Sequence, residues 1–371
     1  MRARTTLLLG LLVACGSSEQ EFVGELTAPV VYGADDRLEV YAHPDDGLRD
    51  IATDSIVALI PTSRMNLEPD GAYSIFAFSL KDDRGLCDDQ PFGNQPVAAS
   101  CSGALIADDL VLTAGHCISE QRPCTNFNYV FNYHLVAPNT LAPIRDEDVY
   151  TCERVVLDSD SEGGRLTPDF AVIQLDRPVQ GARQPVTLRP ATPLVEGEPI
   201  AMIGFGSGLP AKIDSGAFVA DPRTNERDYF VVNLDAFEGH SGSATFDSED
   251  RLAGILLGGR VPDYVPAPDA NCVRANVYAD ADAGEIVHNV GAIIDALCDA
   301  SVLGEEACEP DACDGSPCGQ PSVPDSGGGG GVVAPESSGC NAAGGASPAP
   351  GVLWALLVFF AVVRRVRPTG A

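Results

Sequence analysis

At residues 113–117 the chain reads TAGHC, and at residues 239–243 it reads GHSGS. The first stretch follows the apolar run Leu110–Leu112, so its histidine stands where a strand is expected to end. The second stretch frames a serine with two glycines. A serine hydroxyl is a weak nucleophile at neutral pH, and it becomes a strong one when an imidazole takes its proton and a buried carboxylate orients that imidazole. The two stretches therefore predict the two halves of a nucleophilic hydrolase site.

The carboxylate is expected between these stretches, where residues 168–175 read PDFAVIQL. Asp169 stands immediately before the apolar run and is the predicted partner of the histidine, while Asp176 is the alternative. Ser241 is the predicted nucleophile rather than Ser243, which lacks a comparable glycine arrangement. Gly239 can adopt backbone angles that turn its N–H, together with that of Ser241, toward a developing oxyanion.

These three motifs, in the chain order His, Asp, Ser, resemble those of the trypsin/chymotrypsin superfamily of serine endopeptidases over roughly residues 28–300. The resemblance implies His116 as general base, Asp169 as the orienting carboxylate and Ser241 as nucleophile. It also implies a disulfide between Cys101 and Cys117 that fixes the histidine loop.

Two details are similar to the bacterial, glutamyl-endopeptidase-like branch of that superfamily. Residues 30–40 read VVYGADDRLEV, and the serine motif is Gly-x-Ser-Gly-Ser. His240 stands where the animal enzymes carry an aspartate that pairs with a newly cut N-terminus. We therefore expect the oxyanion hole to form without cleavage of that kind.

Substrate preference is predicted from Asp235, which lies six residues before Ser241. The resemblance implies that Asp235 lies at the base of the primary pocket and that Gly258 and Gly259 form an open wall. A buried carboxylate facing an empty pocket selects a cationic side chain, which predicts cleavage after Lys or Arg. The alternative is that Asp235 is hydrogen-bonded to backbone in a differently built pocket.

Short apolar runs separated by Gly, Pro, Asp and Asn predict an all-β barrel or sandwich. The resemblance implies two six-stranded antiparallel β-barrels (trypsin-like) with a C-terminal helix. A helix is predicted over residues 284–297, where Ile286, Val290 and Ile293 share one face at helical spacing. The predicted domain spans residues 28–300.

The chain opens with Arg2, Arg4 and a short apolar run, which predicts a signal peptide over residues 1–14. The run ends in LVAC and is similar to a bacterial lipobox, which makes Cys15 the predicted lipidated residue. The alternative is an ordinary signal with Cys15 incidental. Residues 15–27 form a polar leader.

Residues 301–350 read as a cysteine-containing and then Gly/Pro/Ser-rich linker, and residues 351–371 as a hydrophobic helix with a basic tail. With Cys340 as the predicted processing site, the arrangement is similar to a MYXO-CTERM-type sorting signal. A plain C-terminal membrane anchor is the alternative. Both readings place the domain outside the cytoplasm, at the outer membrane or cell surface or secreted.

Ten of the twelve cysteines remain when Cys15 and Cys340 are set aside, and an even number in an exported chain predicts disulfides. Cys124 is expected to pair with Cys152, and Cys272 with either Cys298 or Cys87. Cys308, Cys313 and Cys318 are expected to form a small knotted stem.

The net charge of −30 and the absence of a basic patch argue against nucleic-acid partners. No metal or other cofactor is expected, because the sequence has no Cys-x-x-Cys pair and its histidines are scattered.

The predicted partners are protein or peptide substrates, and we expect a membrane-anchored monomer. The leading hypothesis is an exported serine endopeptidase. The alternatives are a catalytically inactive binding module with the same fold and a serine esterase.

Overall fold

The structure is a computed structural model that describes residues 30–159, 168–190, 192–224, 228–268, 270–304 and 308. The predicted signal peptide, polar leader and C-terminal hydrophobic segment lie outside the described residues, as do most of the linker, Cys15 and Cys340. Among the described residues, no helix has the length and apolar character needed to span a membrane.

Six antiparallel strands form a first closed barrel in the N-terminal half of the domain. They are β1 (Ile56–Pro61), β2 (Cys101–Ala107), β3 (Leu110–Thr113), β4 (Phe127–Val130), β5 (Val149–Ser159) and β6 (Phe170–Leu175). Hydrogen-bonded neighbours follow the order β1-β2-β3-β6-β5-β4, and the ring closes between β4 and β1.

Six further antiparallel strands form a second closed barrel. They are β7 (Pro199–Gly204), β8 (Lys212–Asp221), β9 (Tyr229–Val232), β10 (Ala244–Phe246), β11 (Leu252–Gly258) and β12 (Glu285–Asn289). Their order is β7-β8-β9-β12-β11-β10, closed between β10 and β7, with the short strand Leu38–Glu39 added beside β8. The second barrel thus repeats the strand order of the first, although no sequence repeat is evident. The predicted trypsin-like fold of two six-stranded barrels is confirmed.

Short strands pair outside the two rings and shape the loops around them. They are Val31–Tyr32 with Val277–Tyr278, Met65–Leu67 with Tyr73–Ile75, Phe78–Ser79 with Pro96–Val97, Leu135–Ala137 with Thr140–Leu141, and Tyr264–Pro266 with Val273–Ala275. All of these pairs are antiparallel except the first, which is parallel.

Each barrel encloses its own apolar core because strand side chains converge on the barrel interior. In the first barrel, every residue of β1 from Ile56 to Ile60 is buried. In the second, Phe230, Val232 and Leu256 are fully buried in one cluster. Burying an aliphatic or aromatic side chain of this size contributes about 1.5–3 kcal/mol, so these positions hold the barrels closed.

Three α-helices are present among the described residues: α1 (Asp46–Asp54), α2 (Leu80–Arg84) and α3 (Val290–Asp299). The predicted helix over residues 284–297 is wrong for its first part. Residues 285–289 form β12, because their backbone groups pair with β9 on one side and β11 on the other. The helix begins only after Asn289, whose side chain caps it by accepting a hydrogen bond from Gly291 N.

Four disulfides lie within the described residues. Cys101 pairs with Cys117 and Cys124 with Cys152, while Cys272 pairs with Cys87 rather than Cys298. Cys298 pairs with Cys308, which corrects the expectation that Cys308 belongs to a separate stem. The reason is proximity: Cys298 lies in the last turns of α3, and only ten residues separate the two cysteines. Cys313 and Cys318 lie outside the described residues.

Candidate active site

The histidine and the aspartate come together because β3 and β6 are neighbouring antiparallel strands. Thr113 at the end of β3 pairs with Ala171 near the start of β6, so the residues just beyond these ends meet. His116 Nδ1 lies 2.8 Å from Asp169 Oδ2, and His116 N donates to Asp169 Oδ1 at 2.9 Å. Asp169 is fully buried, whereas the side chain of His116 is one-third exposed. The imidazole is thus oriented by the carboxylate and open on its other side.

Two local features hold the histidine loop in this position. His116 lies in a single 3-10 turn, Gly115–Cys117, and the disulfide to Cys101 in β2 ties that turn to the barrel. A Cβ atom at Gly115 would stand 2.9 Å from Asp169 Oδ1, so only a glycine lets the carboxylate approach this closely.

The serine reaches the histidine from the second barrel, in the loop between β9 and β10. Ser241 Oγ lies 2.8 Å from His116 Nε2. An unbroken hydrogen-bonded chain therefore runs from Asp169 through the imidazole to the Ser241 hydroxyl.

The glycines around Ser241 are required by their conformation and by lack of space. Gly239 has a φ of +98°, and a Cβ atom there would lie 2.7 Å from the carbonyl oxygen of Phe205. Gly242 has a φ of +80°, and its Cβ would lie 2.2 Å from the carbonyl oxygen of Ser102. Among the hydrogen bonds of the described part of the chain, none uses the N–H of Gly239 or Ser241. Both donors can therefore serve an oxyanion beside the hydroxyl.

The alternative candidates, Ser243 for the nucleophile and Asp176 for the carboxylate, take no part in this hydrogen-bonded chain. Ser243 is fully buried, and a Cβ atom at Gly204 would collide with its hydroxyl, so it has no access to a substrate. Asp176 accepts a hydrogen bond from Thr151 N and forms an ion pair with Arg177.

Asp235 does not face an empty pocket, which corrects the prediction that it selects a cationic side chain. It is buried, and its two carboxylate oxygens accept the backbone N–H groups of Tyr32 and Asp36, both at 2.8 Å. Burial and the neighbouring Asp214 raise the pKa of Asp235, so a full negative charge is disfavoured there. Its acceptor capacity is used within the fold.

The open wall predicted from Gly258 and Gly259 is also corrected. Gly258 is buried and pairs with Ile286 across β11 and β12. The space beside Gly259 is filled by Glu285, since a Cβ atom at Gly259 would lie 2.0 Å from the Glu285 carboxyl oxygen.

The cavity that does adjoin Ser241 has a volume of about 620 Å³ and a lining with charges of both signs. Its charged lining residues are Arg84, Arg122, Glu238 and Asp263, with His116 at the reacting end. Arg84 forms an ion pair with Glu238 at 2.8 Å, and burial raises the pKa of Asp263 to about 7. Sequence reasoning missed these lining residues, because they come from loops that meet only in the folded chain.

No group of three or more His, Cys, Asp or Glu side chains suited to a metal ion is present among the described residues.

Comparisons with known proteins identify a family model and a solved structure that are similar to parts of this chain. Residues 101–255 match the family model of the trypsin-like peptidase domain, a range that contains His116, Asp169 and Ser241 but less than half of the chain. A solved structure described as "Structure of Glu endopeptidase in complex with MPD" is similar, with 17% identity and a TM-score of 0.46, over 74% of this chain and 100% of that chain. No curated protein matches the chain. The family match supports the trypsin/chymotrypsin-like superfamily and a serine peptidase in general.

Proposed function

We propose that this chain is a serine endopeptidase that hydrolyses peptide bonds through an acyl-enzyme intermediate. The observation that carries the proposal is the hydrogen-bonded chain from Asp169 through His116 to Ser241, with both distances between side chains at 2.8 Å. Such a chain is what lets a serine hydroxyl lose its proton as it attacks a carbonyl carbon.

The reaction follows from these positions. Ser241 Oγ attacks the scissile carbonyl carbon and its proton passes to His116 Nε2, while Asp169 stabilises the imidazolium. The N–H groups of Gly239 and Ser241 bind the oxyanion. The carbon–nitrogen bond breaks as His116 returns the proton to the leaving amine. Water then attacks the acyl-enzyme with His116 as base, which releases the acid and restores the Ser241 hydroxyl.

The proposal is tested with a fluorophosphonate probe and a protein substrate. We expect Ser241→Ala to abolish labelling and to lower kcat on the order of 10⁴-fold or more. Ser248→Ala, at an exposed serine, is the control and should retain wild-type behaviour. A wild-type protein that neither labels nor cleaves would point to an inactive binding module, and one that labels but hydrolyses only esters would point to an esterase.

Asp169→Asn is the second arm of this experiment. Its amide cannot accept hydrogen bonds from both His116 N and His116 Nδ1 as the carboxylate does, so the imidazole adopts the wrong tautomer. We expect kcat to fall about 10⁴-fold with the fold intact. Asp176→Asn removes the rival carboxylate and should leave kcat unchanged.

A preference for Lys or Arg is not part of the proposal, because Asp235 is hydrogen-bonded to backbone. The cavity beside Ser241 offers both Arg84 and Glu238, so its lining does not select one charge. Comparing Arg-, Glu- and Phe-type chromogenic peptides measures the preference directly. A strong Arg preference that is lost in Asp235→Asn would restore the original prediction.

We further propose that the protease acts outside the cytoplasm as a membrane-anchored monomer, through Cys15, the C-terminal segment or both. The four disulfides of the described residues support an oxidising compartment. The intact mass of the protein from the cell surface tests the location and the anchors together. A mature chain that retains residues 1–14 without lipid would contradict the lipoprotein part.

A further inference from the structure

The loop that carries the oxyanion donors is attached to residues 30–37, here termed the arm. Asp235 accepts hydrogen bonds from Tyr32 N and Asp36 N at 2.8 Å, and Ala236 N donates to Val30 O at 3.2 Å. Three hydrogen bonds therefore join the arm to the residues that immediately precede the turn 237–241. The arm takes part through backbone groups only, and the one side chain involved is that of Asp235 in the loop.

Arg37 adds a side-chain contact at the same place. Its side chain is only 4% exposed, and Asp35 holds its guanidinium through two hydrogen bonds, at 2.8 Å from Nε and 2.7 Å from Nη2. The guanidinium carbon lies 3.9 Å from the centroid of the Phe237 ring and 5.1 Å from that of Phe92. A cation held over an aromatic face restricts the position of that ring.

Phe237 in turn begins the turn that carries the oxyanion donors. Its N–H donates to His240 Nδ1 and its C=O accepts from His240 N, both at 2.9 Å. The His240 ring is buried against Gly206, where a Cβ atom would lie 2.3 Å from the ring. Burial lowers the pKa of His240 well below its ordinary value, so the imidazole is neutral, and the N–H donated by Phe237 selects the tautomer in which Nδ1 accepts. Glu238 and Gly239 lie between Phe237 and His240 in the chain.

The Phe237 ring also packs against Tyr264. The ring centroids of Phe237 and Tyr264 lie 5.5 Å apart, and the Tyr264 hydroxyl is hydrogen-bonded to Ser207 Oγ at 2.6 Å. Tyr264 lines the cavity beside Ser241. Phe237 therefore contacts both the arm, through Arg37, and the cavity wall, through Tyr264.

We propose that Arg37 is a positioning residue for the oxyanion hole: clamped by Asp35, its guanidinium fixes Phe237 and thereby the turn that directs the N–H groups of Gly239 and Ser241. The inference rests on the proposed peptidase function. In this proposal the arm positions the loop that carries Gly239 and Ser241, and no newly formed N-terminus takes part.

The test compares Arg37→Gln with a matched variant, Arg183→Gln. The side chain of Arg183 is 9% exposed, is ion-paired to Asp148, and lies 4.6 Å from the centroid of the Phe131 ring, but it follows β6 and these partners belong to the first half of the domain. Both changes remove a buried cation from an aromatic face, so both lower thermal stability. Only the change at Arg37 touches the loop that carries Gly239.

We expect Arg37→Gln to lower kcat for a peptide substrate at least 10-fold, with KM changed no more than about twofold, because oxyanion stabilisation acts in the transition state. Affinity for a peptide aldehyde, whose hemiacetal oxygen occupies the oxyanion hole, should fall in parallel. Arg37→Lys keeps the charge and should recover part of kcat. Arg183→Gln should leave kcat within about twofold of the wild type.

An unchanged kcat in folded Arg37→Gln would overturn the inference and leave the proposed function intact. The same applies if Arg183→Gln loses kcat to an equal degree. If Arg37→Gln does not fold, Phe237→Leu keeps apolar volume while removing the ring and should show the same loss of kcat at constant KM. A wild-type protein without Ser241-dependent hydrolysis would overturn the proposed function, and this inference with it.

Discussion

Gly239 shows how one residue without a side chain determines the geometry of the proposed site. Its φ of +98° is a conformation that glycine adopts readily, and the carbonyl oxygen of Phe205 occupies the space that a Cβ atom would need. A larger residue would have to move the turn that also carries Ser241. The N–H of residue 239 would then point away from the oxyanion.

We therefore predict that Gly239→Ala lowers kcat about 10²–10³-fold, the usual cost of losing one oxyanion donor. Gly181→Ala is the matched control, because Gly181 also has a positive φ (+81°) but nothing lies within 4 Å of its Cβ position. Both variants bear the backbone cost, so their melting temperatures should fall, and only Gly239→Ala should lose kcat. Equal kcat in the two variants would show that the close contact with Phe205 does not matter.

At this scale the sequence was informative wherever a residue's role depends on its immediate neighbours. The apolar runs beside His116 and Asp169, and the glycines around Ser241, mark strand ends and a tight turn that can be read locally. Asp235 was misread because its role depends on the backbone of Tyr32 and Asp36, about two hundred residues earlier in the chain. A carboxylate looks the same in sequence whether it faces a pocket or caps a distant loop.

At the scale of the element, residues 284–299 show how tertiary pairing overrides a local pattern. Ile286, Val290 and Ile293 have helical spacing, yet Ile286 lies in β12 and only the later two lie in α3. The backbone of residues 285–289 completes the second barrel between β9 and β11. A strand with two partners satisfies its N–H and C=O groups as well as a helix does, so periodicity alone cannot decide between them.

The disulfide between Cys87 and Cys272 connects two loops that are far apart in sequence, with a separation of 185 residues. The chain-entropy relation gives about 5 kcal/mol for a loop of this length, against about 3.5 kcal/mol for the 28-residue separation of Cys124 and Cys152. We predict that replacing both Cys87 and Cys272 by serine lowers the free energy of unfolding more than replacing Cys124 and Cys152.

Denaturant unfolding of the two double variants measures this difference, and the variants are matched because each removes one disulfide and two sulfur atoms. A larger loss for the shorter loop would mean that local packing, not chain entropy, dominates the stabilisation by these disulfides.

At the scale of the whole molecule, buried carboxyl groups make the folded state less stable as the pH rises. Burial raises the pKa of Asp263 to about 7 and that of Glu285 to about 8, and it raises the pKa of Asp235 as well. Their protonated forms are favoured in the folded state, so the stability they contribute is complete below the unfolded values near 4 and is lost as pH rises through the folded values.

We predict that the melting temperature falls between pH 7.0 and pH 8.5, and that Glu285→Gln reduces this fall because an amide does not titrate. Glu249→Gln, at an exposed glutamate, is the control and should keep the wild-type slope. A melting temperature that rises over this interval would contradict the assignment. His134 and His240 affect stability in the opposite direction. Burial lowers the pKa of each, so below pH 6.5 their protonation favours the unfolded chain and stability falls as the pH falls.

The sequence by itself determined the all-β class, the two-barrel fold through its resemblance, and the residues that meet in the hydrogen-bonded chain of Asp169, His116 and Ser241. These depend on local signals: strand ends, tight glycine turns and the chain order of three motifs. Only the tertiary structure decided what Asp235 binds, what fills the space beside Gly259, and how the arm reaches Phe237. Those contacts join segments up to about two hundred residues apart, and a hydrogen bond or ring contact is specified by where both partners lie in space, not by either partner's neighbours in sequence.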